Sequence, residues 1–117
     1  ELIEVEHREG VTVVAPAVPR LDAAIAPAFR QAVVDRVERG ERRLVLDLGR
    51  VEFMDSSGLG ALVSILKAAG SQGAMALCQA RGSVQGLLTL TRMDRVFRIV
   101  PTRDEAVALM AAAPTGP

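Results

Sequence analysis

Leu44-Val45-Leu46-Asp47-Leu48 leads, through the short loop Gly49 to Glu52, into Phe53-Met54-Asp55-Ser56-Ser57-Gly58-Leu59-Gly60. The first run is apolar, of strand length and without strict alternation, which is the pattern of a parallel strand covered on both faces. Beyond the second, Leu59, Leu62, Val63 and Leu66 recur at three- and four-residue intervals up to Gly70, the stripe of an amphipathic helix. Asp55 or Ser56 supplies its N-cap. A buried strand feeding directly into a helix is the start of a βα unit.

The same alternation extends outward in both directions. Upstream, Leu2, Ile3 and Val5 and then Val11, Val13 and Val14 form two short β-type runs joined by Arg8-Glu9-Gly10, an opening hairpin. Pro16 and Pro19 bar a central strand there, so the second strand ends or lies at an edge. From about Ala26 to Arg39, Phe29, Ala32, Val33 and Val37 make a helical stripe, with Pro27 in the first turn and Gly40 closing it. Downstream, a Gly73 turn precedes a strand from Ala74 to Cys78. Val84, Leu87, Leu88 and Thr91 mark a third helix, Val96 to Val100 a last strand, and Asp104 is placed to cap a final helix through Ala106, Val107, Leu109 and Met110. The order ββαβαβαβα predicts an α/β fold: a mostly parallel sheet of four or five strands with an antiparallel edge and about four helices. Residues 1–112 are expected to form a single domain and 113–117 a disordered tail.

Composition narrows the function classes. In 117 residues, 14 Lys and Arg balance 14 Asp and Glu, which removes the long-range attraction used by nucleic-acid and polybasic membrane binders. Without Trp or Tyr, and with only Phe29, Phe53 and Phe97, few rings are available to stack bases. The longest mostly apolar run, Leu59 to Ala69, falls short of the ~20 residues of a membrane span. Glu1 to Glu9 lacks the basic start and apolar middle of a signal peptide. A lone cysteine, Cys78, excludes an internal disulfide and favours a cytoplasmic setting.

Enzymatic readings find little support. His7, the only histidine, falls in the first strand, away from any distinctive serine, so a Ser-His-Asp hydrolase fits poorly. No phosphate loop of the GxxxxGK[ST] type and no GxGxxG after a strand is present. Asp47, Glu52 and Asp55 read as solvated loop acids rather than metal ligands, and Cys78 as a small core residue. No catalytic residue, metal or cofactor is expected. A plain helix cap accounts for Asp55 and Ser56 but not for Gly58 and Gly60, each costing ~1 kcal/mol relative to Ala in a helix. Glycines there let another backbone, a nucleotide or a partner protein come close. Ser56 is presented at the positive end of a helix, where an added phosphate is stabilised by free N–H groups, while Asp55 beside it sharpens the acidity of the modified surface.

The stretch Met54-Asp55-Ser56-Ser57-Gly58-Leu59-Gly60 resembles the signature of the bacterial anti-sigma factor antagonists, or anti-anti-sigma factors, built on the STAS domain. The resemblance extends over nearly the whole chain: Leu21-Asp22, Leu44 to Leu48, Gly73 with Met75 to Cys78, Val96-Phe97-Arg98-Ile99 and Asp104-Glu105-Ala106 follow in the family's order. It implies a partner switch rather than catalysis. Ser56 corresponds to the serine phosphorylated by an anti-sigma factor that is itself a serine kinase, and a PP2C-type phosphatase reverses the modification. The unmodified form binds the anti-sigma factor and frees the sigma factor. By the same resemblance Ser57, Gly58, Leu59 and Gly60 line the contact surface, Asp55 orients the loop, and Asp22 stands in the neighbouring loop. The chain departs from the family at Pro19-Arg20-Leu21-Asp22, where relatives usually carry Gly before Glu or Arg, and at Pro16. The expected protein binds no nucleic acid directly, does not insert into a membrane, and is a monomer or weak dimer when free. The alternative on the same fold is a STAS scaffold, a subunit of a larger signalling or transport complex without phospho-switching.

Overall fold

A computed structural model of the chain describes residues 2–70 and 74–113. The opening strands β1 (Ile3–Arg8) and β2 (Val11–Pro16) pair antiparallel from Arg8↔Val11 to Ile3↔Pro16. Their two-residue turn has both central residues at positive φ, Glu9 at 55° and Gly10 at 78°, the primed geometry whose twist matches the strands. β2 then pairs in parallel with β4 (Arg43–Asp47), β4 with β6 (Ala74–Cys78) and β6 with β7 (Arg98–Val100), giving the order β1-β2-β4-β6-β7 with the antiparallel strand at one edge. Because β2 lies between β1 and β4, Pro16 ends it rather than marking an edge, and the next N–H, that of Ala17, donates to the Leu2 carbonyl at 2.8 Å.

Helices α1 (Ala26–Glu38), α2 (Ser56–Ala69) and α3 (Gly82–Leu90) share one core with the sheet, and α4 (Arg103–Ala112) packs in a second. Phe29, Val33, Leu62, Ile65, Val84 and Leu88 meet Val14, Leu44, Leu46 and Leu77 in the first. Ala106, Val107 and Met110 meet Val11, Val13, Val45, Ala76 and Cys78 in the second. Alternate side chains of β2 and β4 therefore enter different cores, which is why these strands read as unbroken apolar runs. Cys78 lies in the second core; burial, with Asp47 adding to it and Arg103 partly opposing, pushes its thiol up to about 12. His7 stays on the surface, its Nε2 2.9 Å from Glu41 Oε1.

Several local expectations are corrected. A short 3₁₀ turn, Met93–Arg95, precedes the last strand, so β7 begins at Arg98; Phe97 drops into the first core while Val96 faces out. Thr102, not Asp104, caps α4: its Oγ1 accepts from Glu105 N at 3.1 Å and its hydroxyl donates to the Glu105 carboxylate at 2.9 Å. Asp104 sits in the first turn and pairs with Arg8 at 3.0 Å. Asp47 is not a solvated acid, being only 3% exposed. Its Oδ2 accepts from Arg103 Nε at 2.7 Å and its Oδ1 from Gly49 N at 2.9 Å. Ala113, assigned to the tail, is buried and donates its N–H to the Met110 carbonyl at 3.2 Å; the rest of that tail and the Gly73 turn lie outside the described residues.

The Asp47–Arg103 pair ties the start of α4 to the end of a central strand. Arg103→Met leaves a buried carboxylate with one N–H donor, and we expect it to lower unfolding free energy by about 2 kcal/mol in urea titrations. Asp47→Asn combined with Arg103→Met should recover part of that loss; full additivity of the two substitutions would show that the pair is not coupled.

Candidate functional site

Two strands too short to leave a sequence pattern build the site. β3 (Arg20–Leu21) and β5 (Phe53–Met54) pair in parallel, Arg20 against Phe53 and Leu21 against Met54, in a small sheet separate from the main one. The Pro19 carbonyl accepts from Glu52 N at 2.7 Å and Phe53 N at 3.1 Å, and the Leu21 carbonyl accepts from Asp55 N at 3.3 Å. Proline is compatible here because the pairing uses its carbonyl and asks no N–H of it. Leu21, fully buried, anchors the loop in the core, while the Arg20 guanidinium lies over the half-buried Phe53 ring, 4.2 Å from its centre.

The register that sets Leu21 beside Met54 brings the next residues, Asp22 and Asp55, to the same end of the small sheet. Each carboxylate accepts from backbone, and Asp22 Oδ2 also accepts from Arg20 Nε at 3.4 Å. Asp22 Oδ1 accepts from Ala24 N at 3.1 Å, and its carbonyl accepts from Ile25 N at 3.0 Å and Ala26 N at 2.8 Å, turning the chain into α1. Asp55, extended at φ −109° and ψ −170°, is the N-cap of α2; its Oδ1 accepts from Ser57 N at 2.8 Å and Gly58 N at 3.2 Å. Asp55 is therefore a helix cap, and Asp47 an ion-pair partner; among the described residues no group of three or more His, Cys, Asp or Glu gathers to hold a metal.

Ser56 is the first residue of α2 and is exposed, and its hydroxyl makes no hydrogen bond among the described residues. Ser57 and Leu59 are half-buried, Leu59 packing against the first core. The two glycines divide in role. Gly58 is buried: a Cβ there would lie 2.8 Å from Met54 Cγ and 3.0 Å from Leu21 Cβ and would strike the Leu21 carbonyl oxygen. The backbone that needs its missing side chain belongs to this chain, so Gly58 supports the surface from beneath. Gly60 is exposed, with nothing within 4 Å of its would-be Cβ.

The residues that sequence reading missed lie across from α2. A groove of about 320 Å³ runs between α1 and α2, bordered by Ala23, Ala26, Pro27 and Arg30 on one side and by Ser57, Gly60, Ala61 and Ser64 on the other. Both sets have i, i+3, i+4, i+7 spacing, with Ala23 in the turn that leads into α1 and the rest on the helices. That spacing was legible in each helix, but nothing local says the two faces meet. The groove thus begins at the first turn of α2, beside exposed Ser56.

Comparison with known proteins places this geometry in context. The STAS domain model matches residues 3–106. The anti-sigma F factor antagonist of Paenibacillus polymyxa is 34% identical over 107 residues, spanning 90% of this chain and 88% of that protein. A crystal structure of an anti-sigma factor antagonist from Mycobacterium paratuberculosis superposes with a TM-score of 0.84 at 33% identity, over 92% of each chain. The murine Slc26a9 anion transporter shares the fold alone, with a TM-score of 0.76 at 23% identity over 92% of this chain and 19% of its own. Fold by itself therefore does not select between regulator and transporter subunit. Among the described residues no helix is long and apolar enough to cross a membrane.

Opposite outcomes are expected at the two glycines. Gly58→Ala, although alanine is the better helix former, forces Leu21 and Met54 apart and should destabilise the fold by about 2 kcal/mol. Gly60→Ala meets open space and should raise stability by up to about 1 kcal/mol. Thermal or urea unfolding of the two variants checks this; equal shifts of the same sign would refute the assigned packing.

Proposed function

The chain belongs to the STAS domain family, among the anti-sigma factor antagonists, and on that premise we propose that phosphorylation of Ser56 switches its binding to an anti-sigma factor. The observation that carries the reading is the exposed Ser56 hydroxyl at the first position of α2, on a turn held by the Asp55 cap and the Gly58–Leu21 packing. A serine so placed can enter a kinase active site without local unfolding. The unmodified protein binds the anti-sigma factor through the surface around Ser56, with Ser57, Leu59 and Gly60 at the contact and Asp22, Asp55 and Gly58 holding its shape. Sigma factor is released in consequence. The protein itself performs no catalysis.

The anti-sigma factor, as a serine kinase with bound ATP, reverses this. The Ser56 oxygen attacks the γ-phosphorus, its proton passes to a base of the kinase, and the bond to the ADP leaving group breaks. A PP2C-type phosphatase resets the switch by hydrolysis to serine and inorganic phosphate. The helix dipole at this start favours the new charge, although the Ser57 and Gly58 N–H groups are already taken by Asp55. In a complex the balance changes. Phosphate brings roughly −1.5 to −2 charge beside the Asp55 carboxylate, and covering both without a matching cation costs several kcal/mol. Asp55 is bonded to Ser57 N and Gly58 N, so turning it aside would also give up the cap. The switch is a cytoplasmic one between proteins, with no direct contact to nucleic acid and with the free antagonist a monomer or weak dimer.

The test pairs the chain with an anti-sigma factor serine kinase from the same organism. Ser56→Ala should remain bound when ATP is added, whereas wild type dissociates and gains one phosphate at Ser56 by mass spectrometry. Ser56→Asp should bind at least about tenfold more weakly than wild type, or about 1.4 kcal/mol. Equal binding of Ser56→Ala and Ser56→Asp, with no phosphate on the wild type, would overturn the proposal in favour of a constitutive scaffold.

A further inference from the structure

We propose that a cavity at the carboxyl edge of the main sheet binds a phosphate-type oxyanion, anchored by Arg81 and assisted by Arg50. The cavity, about 340 Å³, lies where β2, β4 and β6 end, bordered by Ala15, Asp47 and Gln79 of those ends, by Glu4 of β1, by Gly49 and Arg50 of the β4–β5 loop, by Arg81 before α3 and by Arg103 of α4. Open α/β sheets hold ligands outside the carboxyl ends of their parallel strands, where loops converge on a rigid platform. Ser56 and the groove between α1 and α2 share no residue with this cavity.

Three guanidinium groups from separate segments border it, and they are unequally engaged. Arg103 is spent on Asp47 at 2.7 Å and Glu6 at 3.1 Å. Arg50 pairs with Glu4 at 2.9 Å, but both side chains are more than half exposed, at 56% and 58%. Such a surface pair is weak and exchanges readily for a better acceptor. Arg81 has no carboxylate partner among the described residues, and one of its terminal nitrogens donates to the Gly49 carbonyl. That bond tethers the exposed Arg81 side chain at the cavity and, among the described residues, leaves the other donors of its fork unused. A planar fork with free donors next to a second, loosely held one matches the oxygens of a tetrahedral oxyanion.

The backbone supports the same reading. Gln79, not a glycine, sits in the left-handed region at φ 63°, and Gly82 at φ 57°, on either side of Arg81. Left-handed non-glycine residues are unfavourable and gather at ligand-binding sites. Here Gln79 N is held by the Pro101 carbonyl at 3.2 Å, and the turn sets both Gln79 and Arg81 at the cavity. Gly49 keeps the space open, since a Cβ there would lie 3.0 Å from Asp47 Oδ1 and 3.4 Å from Gln79 Nε2. The nine-residue α3 starts at this turn, and its N-cap, Arg81, makes no side-chain capping bond. The free N–H ends of that first turn add to the positive field.

The oxyanion can be free phosphate or the phosphate of a nucleotide, and two titration arms separate these sources. The full chain, labelled with nitrogen-15, is titrated with inorganic phosphate and, separately, with ATP, at constant ionic strength against chloride. Saturable shifts at Gly49, Gln79 and the Arg81 side chain are expected, and the arm that saturates at lower concentration identifies the source. Arg81→Gln should weaken binding at least about tenfold. Arg81→Lys, which keeps the charge but loses the fork, should fall between, and exposed Lys67→Gln on α2 should bind as wild type does. Non-saturating shifts spread over all basic residues in both arms, or unchanged binding in Arg81→Gln with an unaltered spectrum elsewhere, would overturn the proposal. Because none of these measurements involves Ser56 or an anti-sigma factor, this site and the partner switch stand or fall separately.

Discussion

Gly58 packed against the Leu21 backbone is the contact on which the functional end of the molecule depends. It lets the first turn of α2 lie directly on the β3–β5 pair, with Met54 and Leu21 closing over it. Any side chain at this position would lift the helix from the small sheet, and with it the Asp55 cap and Ser56. The packing also makes the site a joint product of two loops. One precedes α1 and the other precedes α2, and the shared hydrogen bonds from Glu52, Phe53 and Asp55 to Pro19 and Leu21 hold them as one unit.

That unit sits on a sheet covered from both sides. Helices α1 to α3 share one core with it, while α4 shares a smaller one, and the Asp47–Arg103 pair connects α4 to the edge from which the loops emerge. The result is a rigid base with its variable chemistry at one end. Ser56 is exposed and its hydroxyl has no hydrogen-bond partner among the described residues, so a change at its side chain disturbs no buried contact. The folding role at this turn belongs to Asp55 and Gly58 instead.

Much of this was legible in the residues. The amphipathic stripes of α1, α2 and α3, the closing glycines Gly40 and Gly70, the hairpin glycine and a cap for α2 at Asp55 or Ser56 all follow from patterns spanning a few positions. The unusual pair Gly58 and Gly60 also flagged the start of α2 as special. The reason for Gly58 was not legible, since the carbonyl it avoids belongs to Leu21, far away in sequence. Asp47 misled for the same reason: its partner Arg103 is 56 residues distant, and no nearby residue marks the acid as buried. The strands β3 and β5, two residues each, are too short to carry any period.

The sequence by itself determined the order of the main-sheet strands and the four helices, the opening hairpin turn, and the position of a serine at a bared helix start. These are local properties, set by side-chain periodicity and by which residues satisfy the first N–H groups of a helix. Only the tertiary structure decided which glycine faces inward, which carboxylate is paired, that the α1 and α2 faces form a groove, and that Arg50, Arg81 and Arg103 surround one cavity. Each of those depends on segments remote in sequence meeting at one point, and the way strands and crossovers pack, rather than any local preference, brings them there.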